Sequence, residues 1–303
     1  EEPNKMPQIW TQGETQSNSV WFPTIDSPNE RMTNEIFITV DNKYTTLSNG
    51  VLNAQTKNAD GTRTDHWKMD FQHAPYLVMM GIGEFKKVTD KPWNGKEVSY
   101  YVEKEYEKEA RQIYGKTPAM IAYYETILGI DFPWAKYAQI SGREFVSGAM
   151  ENTTATMHNE MVLQDARELK DGNGWESTIA HELFHHWFGD FVTAESWSNI
   201  TVNESFADYS QTLWLEHSKG KDAGEYENYT GLRYYLSSPA DAEKDLVRFF
   251  YKEREDVFDL VSYQKGGRIL NMLRHLVGDK AFFASLHTYL EDNKFGTGSA
   301  IKL

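Results

Sequence analysis

Short apolar runs alternate with turn-forming clusters over about the first 87 residues. NEIFITV (34–40), YTTLS (44–48) and YLVMMGIGEF (76–85) carry the β-branched and aromatic residues that suit a pleated surface. Clusters of Asn, Asp, Gly and Pro, such as NGVLNAQTKNADGT, divide them. This stretch predicts sheet and turns.

From about residue 100 the apolar positions recur every three or four residues, the period of a helix buried along one face. EKEYEKEARQIYG is charged and amphipathic. TPAMIAYYETILG follows, with Thr117 as N-cap, Pro118 at the first helical position and Gly129 as the stop. WESTIAHELFHHWFG, NESFADYSQTLWLEHSKG and SYQKGGRILNMLRHLVG show the same spacing and the same glycine stop. The fold class predicted is α+β: sheet first, a mixed stretch from 88 to 170, then helices, without internal repeats.

Composition narrows the function. The 303 residues are 40% hydrophobic and 25% charged, as in an ordinary globular protein. A net charge of −14 argues against nucleic acid, whose backbone rewards basic patches, and favours cationic ligands such as a free amino terminus. With no cysteine, disulfides and thiolate metal sites are excluded, so a transition-metal site must use histidine and carboxylate. No run of 18 apolar residues occurs, which predicts no membrane span. EEPNKMPQIW lacks the pattern of a signal peptide and an initiator Met, and a removed start leans the expectation towards a secreted or periplasmic setting.

The chemistry concentrates in HELFHHW (181–187). Residues four apart share a helix face, so His181 and His185 present two imidazoles to one ion, with Glu182 beside it. A zinc hydrolase needs this layout: two nitrogens on the metal and a carboxylate placed to take a proton from water. An accidental His-Glu-x-x-His in a chain of this length is an event on the order of one in a hundred. A third ligand is still required. Phe188 and Phe191 stand where a metzincin has glycine and histidine, which excludes that class. A carboxylate from a second helix is another option, and Glu204 of NESFAD follows His185 by nineteen positions, enough for the chain to turn back. His186 points away from the metal face and reads as packing, and Asp208, one turn past Glu204, is a candidate to orient a ligand histidine.

GAMEN (148–152) by itself reads as a strand edge or turn with an exposed acid. Together with HELFHHW and NESFAD it resembles the M1 family of zinc aminopeptidases, the gluzincins marked by GxMEN and by HExxH followed after eighteen residues by glutamate. WTQGET (10–15) and VSYQKGG (261–267) agree with that family in order along the chain. The resemblance implies that residues 1–87 are the C-terminal part of an N-terminal β-sandwich or saddle domain. It implies that residues 88–303 are a thermolysin-like catalytic domain, ending before the family's helical C-terminal domain.

It further implies that His181, His185 and Glu204 bind one Zn2+ per chain, that Glu182 is the general base, and that Tyr263 donates to the oxyanion. Glu151, with Gln12 and Glu14, would hold the α-ammonium of a peptide with a free N-terminus, and the backbone of Gly148 and Ala149 would line that peptide. Ser205 departs from the glycine that many members carry. Beside the aminopeptidase stand a thermolysin-like endopeptidase, against which GAMEN and TQGE argue, epoxide hydrolysis, and a weakly active fragment that binds zinc and peptide ends.

Overall fold

The computed structural model describes residues 5–302. The chain divides into two compact units. The first comprises residues up to Asp26, Arg31–Pro118 and Trp134–Glu176; the second comprises Ser27–Glu30, Ala119–Pro133 and the chain from Ser177 onward.

The first unit is a β structure of eleven strands among the described residues: β1 (Gln8–Trp10), β2 (Met32–Asp41), β3 (Thr45–Ser48), β4 (Val51–Lys57), β5 (Thr62–His73), β6 (Met80–Gly83), β7 (Lys86–Thr89), β8 (Glu97–Val102), β9 (Lys136–Gly142), β10 (Ala149–Met150) and β11 (Ala155–Asn159). Strands β2, β5 and β4 form one antiparallel sheet, and β1, β6 and β3 a second. The third is mixed, in the order β10-β11-β9-β8-β7, with β9 parallel to both neighbours. A strand flanked on both sides in a covered parallel segment is buried along its length, and every residue of KYAQISG in β9 is buried. Lys136 opens that strand, its ammonium donating to the carbonyls of Ser48 and Thr154, and burial pushes its pKa down to about 7.

Three local expectations need correction. NGVLNAQTKNADGT holds strand β4 rather than only a turn. All seven residues of β4 are exposed, so no apolar alternation marks it, and its backbone pairing with β5 specifies it. In YLVMMGIGEF only Met80–Gly83 is strand, because Asn49 claims the backbone before it: its amide donates to Leu77 O and its oxygen accepts from Met79 N. EKEYEKEARQIYG gives one 3₁₀ turn and the short α1 (Ala110–Tyr114). The only buried apolar residues there are Ala110, Ile113 and Tyr114, too few to pay the helix nucleation cost further upstream.

The second unit carries the helices, with α2 (Thr117–Leu128) entering it from Ala119: α3 (Glu176–Phe184), α4 (Thr201–Lys219), α5 (Lys221–Leu236), α6 (Gly266–Val277) and α7 (Asp279–Asn293). Short strands β12 (Val192–Ala194) and β13 (Gly296–Gly298) pair in parallel. The glycine stops at Gly129, Gly220 and Gly278 stand as read, each directly after its helix with positive φ, whereas Gly189, also at positive φ, lies in the turn beyond α3, which ends at Phe184. Thr117 is the first helical residue of α2 rather than its cap, and its hydroxyl donates back to Tyr114 O. An aromatic cluster seats α3 in the core. Tyr124 meets Phe184 edge-on at 4.8 Å, and Phe188 stacks on Phe206 at 4.3 Å. Among the described residues no helix is long and apolar enough to cross a membrane.

Candidate metal centre and carboxylate pair

Helix α3 ends at Phe184, one residue before His185, and the chain closes with a tight turn in place of the longer helix expected. His181 and His185 still share a face, because the His185 amide donates to His181 O at 3.3 Å. Their rings lie 4.8 Å apart at 77°. His185 Nδ1 donates to Phe188 O at 3.0 Å, so a neutral ring turns the lone pair of Nε2 outward.

Glu204 comes from the first turn of α4, where the partial positive charge of the helix N-terminus favours a carboxylate. Its Oε2 stands 3.3 Å from His181 Nε2 and 3.5 Å from His185 Nε2. All three side chains are buried. Burial raises the carboxyl pKa of Glu204, and the imidazoles of His185 and His181 outweigh it, so the group is held below the usual range. Burial lowers His181.

This arrangement suits a cation. Glu204 Oε2 is buried and makes no hydrogen bond of good geometry, while it faces the two ring nitrogens. A carboxylate facing the lone pair of His185 Nε2 in a buried site is repelled unless a proton or a metal ion stands between them. Two nitrogens and one oxygen within 4.8 Å of one another are a donor set that suits a borderline-soft divalent ion.

One neighbour, Gln211, escaped the reading of the chain. The amide of Gln211 donates from Nε2 to His181 Nδ1 at 2.8 Å, which leaves the ring hydrogen on Nε2, facing Glu204. Rotating that amide by half a turn offers its oxygen to Nδ1–H and frees Nε2 for a metal. The signal was available, since Gln211 lies seven residues, or two turns, beyond Glu204 on the same helix. Asp208 was read as the candidate for this orienting role, and the structure places it elsewhere: it accepts from Arg268 Nη2 at 3.0 Å and Gln264 Nε2 at 3.3 Å.

Glu182 is buried at 6% exposure, with a carboxylate oxygen within 4.8 Å of a His185 ring nitrogen. His186 packs: its ring stacks on Phe132 at 5.6 Å and its Nδ1 donates to Glu182 O at 3.3 Å. Tyr263 sits on a single π-helical turn, Val261–Lys265, and its ring lies parallel to His181 at 6.1 Å.

The first unit gathers the other candidates. Gln12 and Glu14 follow β1, and Glu151 follows the two-residue edge strand β10. The Gln12 amide contacts Met150 Sδ at 3.2 Å, and carboxylate oxygens of Glu14 and Glu151 lie within 4.8 Å of each other. Glu151 is 3% exposed, against the exposed acid expected from GAMEN, and accepts from Tyr76 OH at 3.4 Å. A side chain added at Gly148 would meet no protein atom within 4 Å, so the space beside it is open. Two close carboxylates, Glu151 buried and Glu14 half-buried, suit a cationic ligand.

Residues 113–303 match the family model described as the Peptidase family M1 domain, and residues 1–77 match the Peptidase M1 N-terminal domain. Endoplasmic reticulum aminopeptidase 1 of Rattus norvegicus is 28% identical over 295 residues, covering 93% of this chain and 31% of that protein. Glutamyl aminopeptidase of Homo sapiens is 29% identical over 282 residues, covering 90% and 29%. Tricorn protease-interacting factor F2 of Thermoplasma volcanium is 29% identical over 313 residues, covering 97% and 38%. The chain thus spans about a third of the length of the curated relatives it matches.

Proposed function

We propose, from the premise that the chain belongs to peptidase family M1, that it is a zinc aminopeptidase hydrolysing the first peptide bond of peptides with a free N-terminus. His181, His185 and Glu204 would hold one Zn2+. The observation that carries this is the buried Glu204 Oε2, turned without a good hydrogen bond towards two imidazole nitrogens at 3.3 and 3.5 Å. When bound, zinc supplies Lewis-acid activation of a water and of the peptide carbonyl.

The chain's own residues supply the rest. Glu182, buried beside the ligand histidines, accepts a proton from the attacking water and passes it to the departing amine. Tyr263 donates its phenolic hydrogen to the carbonyl oxygen as negative charge develops there, a role that a neutral donor fills near pH 7. Glu151 and Glu14, assisted by Gln12, bind the α-ammonium, and the backbone of Gly148 and Ala149 lines the peptide. An internal peptide segment brings no cation to offset the desolvation of those acids, and this favours exopeptidase over endopeptidase action.

The test is a zinc-loaded protein given one unblocked peptide and its N-acetylated twin, with products followed by mass spectrometry. Stepwise loss from the free N-terminus alone supports the reading. Internal cleavage of both peptides would replace it with an endopeptidase.

A further inference from the structure

We propose that Ser205 is a positioning residue for Tyr263. One hydrogen bond from its hydroxyl ties the π-helical turn that carries the phenol to the turn of α4 that carries Glu204. The inference deepens the peptidase reading and rests on it.

Ser205 is 1% exposed and directly follows Glu204; Ser262 is 0% exposed and directly precedes Tyr263. Ser205 Oγ donates to Ser262 O at 2.6 Å. A carbonyl only accepts, so the single hydroxyl hydrogen of Ser205 is committed to Ser262. Thr201 Oγ1, which also meets Ser205 Oγ, must then be the donor of that contact. The result is a directed chain, Thr201 to Ser205 to the backbone of the π-turn, running between residues adjacent to Glu204 and Tyr263.

Packing around the link points the same way. A Cβ at Gly266, the first residue of α6, would lie 1.8 Å from Ser205 Oγ and 2.5 Å from its Cβ. The serine hydroxyl therefore occupies the space where an ordinary residue at 266 would project. The far side of the turn is held separately: Ser262 Oγ donates to Val257 O and accepts from Arg248 Nη2 at 2.9 Å, and Asp259 Oδ1 accepts from the amides of Val261 and Ser262. Those contacts fix the turn to its own loop. Ser205 supplies a fixed link from it to the metal-bearing helix. A phenol that must face a developing oxyanion gains from such a tether, because a small misplacement of a donor weakens it in the transition state without altering ground-state binding.

Three proteins test the proposal: the parent, Ser205→Ala, and the double variant Ser205→Gly/Gly266→Ala, which returns volume to the site without the hydroxyl. Each is assayed for zinc content, for kcat and KM on alanine p-nitroanilide, and for amide hydrogen exchange across residues 260–266. Loss of one buried hydrogen bond predicts, in Ser205→Ala, kcat lower by about tenfold, KM within about twofold, and exchange of the π-turn faster by about tenfold. Zinc content stays at the parent value, and the double variant behaves like Ser205→Ala. Recovery of kcat in the double variant would assign the effect to packing and overturn the proposal. Parent-like exchange and kcat in Ser205→Ala would do the same, as would loss of zinc with the π-turn unchanged. A zinc-loaded parent that cleaves nothing would sink the peptidase reading instead, while the exchange data would still decide whether Ser205 holds the turn.

Discussion

Arg268→Met gives the sharpest test of how the second unit holds its polar interior. Arg268 and Asp208 are 8% and 6% exposed, and Nη2 meets Oδ2 at 3.0 Å. Backbone closes over the pair: a Cβ at Gly267 would lie 2.3 Å from Asp208 Oδ2, and one at Gly231 would lie 1.7 Å from Arg268 Nη1. At an effective dielectric of about 20, two charges this close attract by about 5 kcal/mol, offset by the cost of desolvating both. Methionine keeps the apolar stem and removes the charge, so Asp208 is left buried with only the Gln264 amide. The expected loss is about 3–5 kcal/mol at pH 7.5.

Its pH dependence follows from the sign of the Asp208 shift. Burial raises that pKa, and Arg268 opposes the rise. Without the guanidinium the folded pKa climbs further above the unfolded value of 3.8. A raised carboxylate pKa means that the folded state binds more protons, so stability falls as pH rises between the unfolded and folded values. The defect of Arg268→Met should therefore shrink to about 1–2 kcal/mol near pH 3, below the unfolded value, where Asp208 is mostly neutral in both states. Urea unfolding followed by tryptophan fluorescence at both pH values measures it, with Asp208→Asn/Arg268→Met expected to lie within about 2 kcal/mol of the parent at pH 7.5. A loss independent of pH, or a double variant no better than the single, would refute the reasoning.

Glu182→Gln should keep zinc at the parent level and lower kcat by about 10²- to 10⁴-fold, the contribution of a placed general base. Preserved turnover would remove Glu182 from that role. Glu204→Ala should release zinc in equilibrium dialysis with metal analysis, and unchanged occupancy would place the third ligand elsewhere. Glu151→Ala should abolish the preference for an unblocked over an N-acetylated peptide, chiefly by raising KM for the former. If discrimination persists, the Glu14 and Glu151 pair does not hold the ammonium.

Legibility differed between the metal group and the sheet for a physical reason. His181, His185 and Glu204 are few residues of uncommon type: the period of 3.6 carries the two histidines to one face even though α3 stops at Phe184, and the connection between them and Glu204 is long enough for a second helix, α4, to return the carboxylate. Strand β4 had no such mark. Its seven exposed residues bury nothing, and its conformation is decided by pairing with β5, a partner that no local window contains. The 3₁₀ turn before β6 was hidden likewise, since Asn49, about thirty positions upstream, takes the backbone groups that a ladder would have used.

The same distinction runs through the site itself. Residues that would act on substrate are legible as types, whereas those that aim them are legible only as contacts. Tyr263 is one of 17 tyrosines and was singled out by resemblance alone. Its place beside His181 depends on a π-turn, which inserts one residue into a helical pattern and shifts the face that periodicity would assign. Ser205 and Gln211 look like ordinary polar residues of α4. Ser205 shows its part only through Ser262, 57 residues away, and Gln211 through His181, 30 residues away. A nucleophile, base or ligand must be a particular chemical group, which restricts its identity in any sequence. A positioning hydrogen bond needs only some donor at the right distance, so its identity is set by the fold.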